Sequence, residues 1–337
     1  MKTLIRIVLV IFIIGILLTM VAFVSGVNLD GITDYISDDG NYGDEINIES
    51  TTTIDTLDID LETRNIEVTT TAEDHITITY HEHDRDTWTT SESNGKLTLK
   101  QAITPVFFNW FNFKIASYDV KTVFIEIPST WVVDYTLKSS TGNIKYIEGP
   151  MTATDIFIDS DTGDVQLKHV TMNSLDINLD TGRASLENLI ITGDLNVESD
   201  TGDLNLTNIT AEEVILDTET GDIIIDDLTS SSLHAETSTG NITLNNSEST
   251  GAINISSNTG DVSISESTGT GYDLSSDTGD IRFTMSDSMD LKYDLSTTTS
   301  KITVNGDDQG TRHSTSSGSI LLKAKSTTGK IIINVQD

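Results

Sequence analysis

The sequence predicts an all-β protein: a parallel β-solenoid of about ten coils, β-helix-like, carried behind an N-terminal transmembrane helix. Three observations lead there. A short phrase, Asp-Thr-Gly-Asp or a close variant, returns every 19–21 residues, with glycines at Gly142, Gly163, Gly182, Gly202, Gly221, Gly240, Gly260 and Gly279. Ser300 then stands where a glycine is due, and Gly318 and Gly329 close the series. Apolar residues flank each glycine at a spacing of two, as in Ile156, Ile158, Val165 and Leu167, or Val214, Leu216, Ile223 and Ile225. That spacing is the strand period, because alternate side chains point to opposite faces. No stretch after residue 26 carries the three-to-four-residue stripe of an amphipathic helix.

Taken in chain order, residues 1–26 supply the membrane anchor. Lys2 and Arg6 precede an uncharged apolar run from Ile7 to Val24. The run approaches the length of a bilayer span and exceeds a usual signal-peptide core. Basic residues before it and Asp30, Asp34, Asp38 and Asp39 after it put the N-terminus in the cytoplasm and the repeats outside, as a single-pass cell-membrane protein. A signal cleaved near Ser25-Gly26, giving a secreted protein, is the competing reading. Residues 27–50, rich in Gly, Asn and Asp, read as a flexible acidic stalk.

Residues 51–130 read as irregular N-terminal coils. Leu57, Ile59, Ile66 and Val68 fit the repeat with Arg64 in the glycine slot, and Leu97 and Leu99 fit it around Gly95. An aromatic insertion follows at Pro105–Phe113. It is read as a hydrophobic cap over the end of the rod; the alternative is a patch of Phe107, Phe108, Trp110, Phe111 and Phe113 that touches lipid or a partner. Residues 131–337 are the regular repeats, each a strand, a glycine turn, a strand and a second turn rich in Ser, Asn and Asp. A single unit buries too little to fold alone, so units must stack and share a core. With strands about 4.8 Å apart, the stretch from Gly142 to Ser300 should be about 40 Å long. The last strand, Ile331 to Val335, has no capping helix after it, which leaves its edge open to pairing with another chain.

Composition narrows the function. The 337 residues carry a net charge of -34 and no cysteine. The charge excludes nucleic acid as a partner, since phosphates would be repelled. The lack of cysteine removes both a disulfide framework and a lipoprotein anchor. Asp-Thr-Gly at Asp161, Asp180, Asp200 and Asp277 matches the aspartic-protease triplet, but it recurs coil after coil, whereas a dyad needs only two carboxylates sharing a proton. Glycine there serves the backbone of a tight turn.

In register, Asp161, Asp180, Asp200 and Glu219 form one column, and Asp164, Asp203, Asp222, Asp261 and Asp280 another. Stacked carboxylates about 5 Å apart repel by around 1 kcal/mol in water. Calcium, a ligand of clustered oxygens, would relieve that repulsion; screening by solvent is the simpler account, and no other cofactor is implied. His81 and His83 alternate along a strand and so share a face, the minimum for a two-His metal site, but no third ligand is near in sequence.

The N-terminal apolar segment, the acidic stalk and repeats such as Ser160-Asp-Thr-Gly-Asp164, Ser199-Asp-Thr-Gly-Asp203 and Ser276-Asp-Thr-Gly-Asp280 resemble the bacterial putative-adhesin family of β-strand repeats. That family has no assigned function and is common in Gram-positive envelopes, some members accompanying envelope stress-response systems. The resemblance spans residues 51–337 and implies fold and location; it carries no catalytic motif.

Two functional classes follow. The first is a non-enzymatic, membrane-tethered, extracytoplasmic rod, an adhesin or stress-associated scaffold that binds a cell-wall polymer or an envelope protein. The second is a carbohydrate-active β-helix enzyme, a lyase or hydrolase acting on an envelope or extracellular polysaccharide. Arg183 and Arg282 are the only arginines between Gly142 and Ser300 and have no evident partner in the sequence. A groove that gathers Asp with Arg favours the enzyme; a smooth surface favours the scaffold.

Overall fold

In the computed structural model, which describes residues 39–104, 116–146 and 150–335, the chain winds into two long parallel sheets joined at the glycine turns. The strand before each turn pairs with its counterparts in the neighbouring coils, and so does the strand after it. Ile156↔Leu175↔Leu195↔Val214↔Leu233 is one unbroken register line of the first sheet. Val165↔Ala184↔Leu204↔Ile223↔Ile242 is its equivalent in the second. The inward positions of both sheets meet in one continuous core, in which Leu57, Ile66, Leu204, Ile223, Phe283 and Ile331 are completely buried. Among the described residues the one helical turn is a 3-10 turn at Asp39–Asn41.

The coils do not stack in the order in which they are made. Counted along the first sheet there are twelve parallel strands: Lys96–Ile103, Thr56–Leu61, Val132–Thr141, Met151–Thr162, Ser174–Thr181, Leu195–Thr201, Glu213–Thr220, Ser232–Thr239, Ala252–Thr259, Gly271–Thr278, Ile320–Ser326 and Leu291–Thr297. The first and last coils of the chain are thus each tucked one place inside the stack. At each outer end an antiparallel strand closes the sheet. Asp86–Ser93 folds back on Lys96–Ile103, Ile76–His83 pairs antiparallel with Thr122–Pro128, and Tyr42–Ser50 adds to Ile76–His83. At the C-terminal end Arg312–Ser314 covers Leu291–Thr297, and Asp307–Gly310 covers Ile302–Val304.

Several expectations change accordingly. The stretch read as stalk contributes a strand at Tyr42–Ser50, because Ile46 and Ile48 pack on the core while the outward positions stay polar. Leu97 and Leu99 do not follow a repeat turn. They pair with Leu57 and Ile59, in the strand before the glycine slot, because Asn94-Gly95 (φ 52° and 75°) makes a tight hairpin instead of a coil corner. Gly318 lies outside the glycine column, against the backbone of Leu291, whereas Gly329 packs on Gly279. Ile331–Val335 has no open edge: Ile281–Met285 pairs on one side and Ile302–Val304 on the other. Arg64 does occupy the head of the glycine column, with its carbonyl beside the Cα of Gly142.

The helix expected for residues 1–26, the rest of the stalk up to residue 38, and the aromatics Phe107, Phe108, Trp110, Phe111 and Phe113 lie outside the described residues. Among the described residues, no helix is long and apolar enough to cross a membrane.

Candidate functional site

Each residue of the Ser-Asp-Thr-Gly-Asp phrase has a separate task at the corner. The glycine comes first. A Cβ built on Gly202, Gly221 or Gly240 would sit 1.7, 1.9 or 1.8 Å from the carbonyl oxygen of the glycine one coil earlier. Backbone therefore touches backbone along the whole column, and only glycine leaves room. From Thr218 onward the hydroxyl three places before the glycine slot answers the same carbonyl. The buried hydroxyls of Ser160 and Ser199 have no hydrogen-bond partner among the described residues, and Leu179 has no hydroxyl. Ser257 donates to Gly240 O at 2.9 Å, Ser276 to Gly260 O at 2.9 Å, Ser326 to Gly279 O at 3.0 Å and Thr297 to Gly329 O at 2.9 Å. Each of these side chains is buried, so the bond replaces lost water. Replacing Ser257 by Ala is expected to cost about 1–2 kcal/mol, since the buried carbonyl loses a donor; chemical denaturation would read it. The same change at half-buried Ser256, whose outward hydroxyl accepts only from Ser275 Oγ at 3.1 Å, should cost less.

The acid after the glycine ties one coil to the next. Oδ1 of Asp164 accepts from the amide of Arg183 (2.9 Å), that of Asp203 from Asp222 (3.1 Å), that of Asp222 from Asn241 (2.7 Å), and that of Asp261 from Asp280 (2.8 Å). Asn65, Asn143 and Asn241 do the same with their amide oxygens. This explains why Asn replaces Asp freely in the column: the requirement is an acceptor, with charge optional. Asp161, Asp180 and Asp200, together with the threonines that follow them, are exposed at the corner. Among the described residues no three His, Asp or Glu side chains converge as a metal site.

Arginine and aspartate do meet in a groove, contrary to the expectation that the two arginines lack partners. Arg282 bridges two coils, donating to Asp261 Oδ2 at 2.6 Å and to Asp280 Oδ2 at 2.7 Å. Asp222, Ile224, Asn241, Thr243 and Ser263 complete a shallow groove on the outer face of the second sheet. Arg183 lies 3.6 Å from Asp203. Burial pushes the Asp261 carboxyl up, but the hydrogen bond from Arg282, the Asp280 amide and the guanidinium charge together hold it below the usual carboxylate range. Asp261 is thus kept ionised, with Oδ1 on a backbone amide and Oδ2 on Arg282.

On the other sheet the outer face carries a run of carboxylates. Glu198, Asp217 and Glu236 are directly stacked. Burial, followed by the charges of Glu236 and Glu198, raises the Asp217 carboxyl. A raised carboxyl opposes folding when ionised, and that penalty fades as pH falls through its folded-state value. Asp217→Asn should therefore stabilise the monomer by about 0.5 kcal/mol at neutral pH. The gain should shrink in acid, where protonation neutralises the wild type as well; melting curves of dilute protein at two pH values test both statements.

The N-terminal end holds a polar cluster that the sequence did not reveal. The side chains of Arg64 and Asp86 are each 2% exposed and form an ion pair. Tyr42 Oη accepts from Arg64 at 2.9 Å, and Asp86 also accepts from the amide of His83 (2.9 Å) and from Gln101 Nε2 (3.0 Å). His83 is buried edge-on to Tyr42, while His81, half-exposed, lies 3.0 Å from Gly43 O. The two histidines do not share a face, because the burial alternation slips at Glu82, beside the irregular pairing between Tyr42 and Glu45.

The chain is similar to a putative adhesin from Bacteroides fragilis, at 17% identity over 87% of this chain and 98% of that one, with a TM-score of 0.38. Putative adhesins from Parabacteroides distasonis (12% identity, 86% and 97% covered, TM-score 0.37) and Parabacteroides merdae (15%, 86% and 96%, 0.32) are also similar. No curated protein matches the sequence. Residues 54–265 and 187–337 match the Toastrack DUF4097 family, so that nearly all of the coil stack is accounted for, and the chain belongs to that family.

Proposed function

We propose that this chain is a non-enzymatic, membrane-tethered, extracytoplasmic β-solenoid that acts as an adhesin-like binder or spacer in the cell envelope. The observation that carries this reading is the use made of the repeat. Its serine, glycine and second aspartate are spent on joining coil to coil, and what remains is two long outer faces that repeat at the strand spacing. A regular face of that kind suits a polymeric or extended partner, which meets the same chemistry at every step. Family membership and the apolar run Ile7–Val24 behind basic residues support the tether. The test uses the full chain in native membranes. It should stay in the pellet after alkaline carbonate extraction, be digested by protease added outside intact cells, and retain purified cell-wall sacculi on proteoliposomes. Release by carbonate, or no retention of sacculi above empty vesicles, overturns the respective part.

The Asp261–Arg282–Asp280 groove supports the second reading, a carbohydrate-active enzyme. Hydrolysis needs one carboxyl held protonated as a general acid, whereas Asp261 is held ionised by Arg282. The groove therefore fits polar recognition of a sugar better than its cleavage. Incubation of the full chain with cell-wall polysaccharide should release no new reducing ends or unsaturated products; release that is lost in Arg282→Ala would establish the enzyme instead.

A further inference from the structure

One outward column of the first sheet begins with Lys100, Asp60 and Lys138 and from there runs from acidic to basic along the rod. In order this stretch reads Asp159, Asn178, Glu198, Asp217, Glu236, Ser256, Ser275, Lys325, Ser296 and Arg312. Lys325 joins it only because Ile320–Ser326 is inserted between Gly271–Thr278 and Leu291–Thr297, and Arg312 is added by the antiparallel end strand. The five strands from Met151–Thr162 to Ser232–Thr239 contain no Lys or Arg. Lys138 of the adjoining strand pairs with Asp159 at 2.9 Å and His234 lies 3.8 Å from Glu236, so among the described residues no lysine or arginine of the same copy pairs with Glu198, Asp217 or Glu236. Lys325 and Arg312 are exposed and, among the described residues, have no ion-pair partner.

We propose that this face docks on the same face of a second copy, the two rods antiparallel, with a two-fold axis through Ser256. Such an axis, lying along the strand direction, reverses the rod but keeps each column opposite itself. Position for position, Lys325 of one copy then meets Asp217 of the other, two strands from Ser256 on either side. Arg312, four strands away, meets Asn178, which is flanked by Asp176 and Asp180. Lys292, two outward columns over, meets exposed Asp194. The strand on the axis, Ala252–Thr259, has no charged residue, so nothing repels where the copies lie closest.

The overlap from Ser174–Thr181 to Arg312–Ser314 spans roughly 38 Å at about 4.8 Å per strand. With a face roughly 20 Å wide, it buries roughly 800 Å² on each partner, the size of a standard specific interface. Each contact occurs twice by symmetry, as a two-fold interface requires. The stacked Glu198, Asp217 and Glu236, which repel one another within one copy, gain a cation from the other. The face that is acidic over most of its length is thereby complementary to itself.

The chain has no cysteine, which makes a clean test possible in the full chain in native membranes. Ser256→Cys lies on the proposed axis; Thr243→Cys, outward on the other sheet, is the control. Mild oxidation should give about tenfold more disulfide-linked homodimer from Ser256→Cys than from Thr243→Cys, and raising salt should diminish it. Adding Lys325→Glu to Ser256→Cys should abolish the crosslink, and adding Asp217→Lys on top should restore it, because the pair is then swapped. Equal crosslinking at the two cysteines, a crosslink indifferent to Lys325→Glu, no rescue by the swap, or a Ser256→Cys adduct to a different protein alone would each overturn the proposal.

Discussion

Gly221→Ala should destabilise the rod by about 4 kcal/mol or more, near the top of the range for single substitutions. The new methyl would lie 1.9 Å from the carbonyl oxygen of Gly202 and 2.5 Å from its carbon. Both are backbone atoms inside a parallel ladder, so no side chain can swing away and the coil spacing itself must open. The loss should be local at first. Hydrogen exchange should accelerate in Glu213–Thr220 and Ile223–Ser230, the strands on either side of the strained corner, before the ends respond. Gly306 is the control: its φ is +87°, but nothing lies within 4 Å of a Cβ. Gly306→Ala should thus cost only the backbone term, about 1–2 kcal/mol. If the two substitutions cost the same, close approach is not the reason for the column.

Removing Asp86 should be the second large effect. Asp86→Ala leaves the Arg64 guanidinium buried without its counter-charge, which costs about 3–5 kcal/mol. The damage should fall on the N-terminal cap, because Asp86 also holds the amide of His83 and the side chain of Gln101, and Gln101 in turn accepts from the amides of Glu62 and Thr63. Proteolysis or hydrogen exchange should show Tyr42–Ser50 and Ile76–His83 detaching while the central coils stay protected. The double change Arg64→Met with Asp86→Leu should recover much of the loss, since a buried pair is often replaceable by apolar residues of similar size. Failure of the double variant to improve on Asp86→Ala would mean that the cluster's polar bonds to Tyr42 and Gln101, and not charge pairing, hold the cap.

These two predictions differ in how visible they are from sequence. The glycine column is local and periodic: Gly202, Gly221 and Gly240 repeat the same neighbours, so the turn and its flanking strands can be read directly. The apolar pairs around them fall where the core is. The Arg64–Asp86 pair follows no period, because it joins a coil corner to a hairpin that only exists at the end of the rod. Two signals were open to reading and pointed elsewhere. Asn94-Gly95 and Asn305-Gly306 are hairpin dipeptides, with φ of 52° and 75° and of 49° and 87°, and each makes the antiparallel strand that closes one end. Forced into the repeat phase, Gly95 suggests one more coil corner. The partners of Arg282 were likewise hidden, because Asp261 comes from one coil and Asp280 from the next, and register alone puts them on either side of the guanidinium.

By itself, the sequence determined that this protein is all-β, coiled and acidic, because strand period, glycine spacing and charge are properties of short stretches of chain. It also specified the glycine that the tight turn between paired strands needs. Only the tertiary structure decided the order of the coils. All the strands carry nearly the same inward pattern, so any of them can pair with any other, and sequence similarity cannot say which neighbours win. That choice moves the first and last coils inside the stack, closes both ends with hairpins, and places Lys325 on the face that carries the Glu198–Asp217–Glu236 stack.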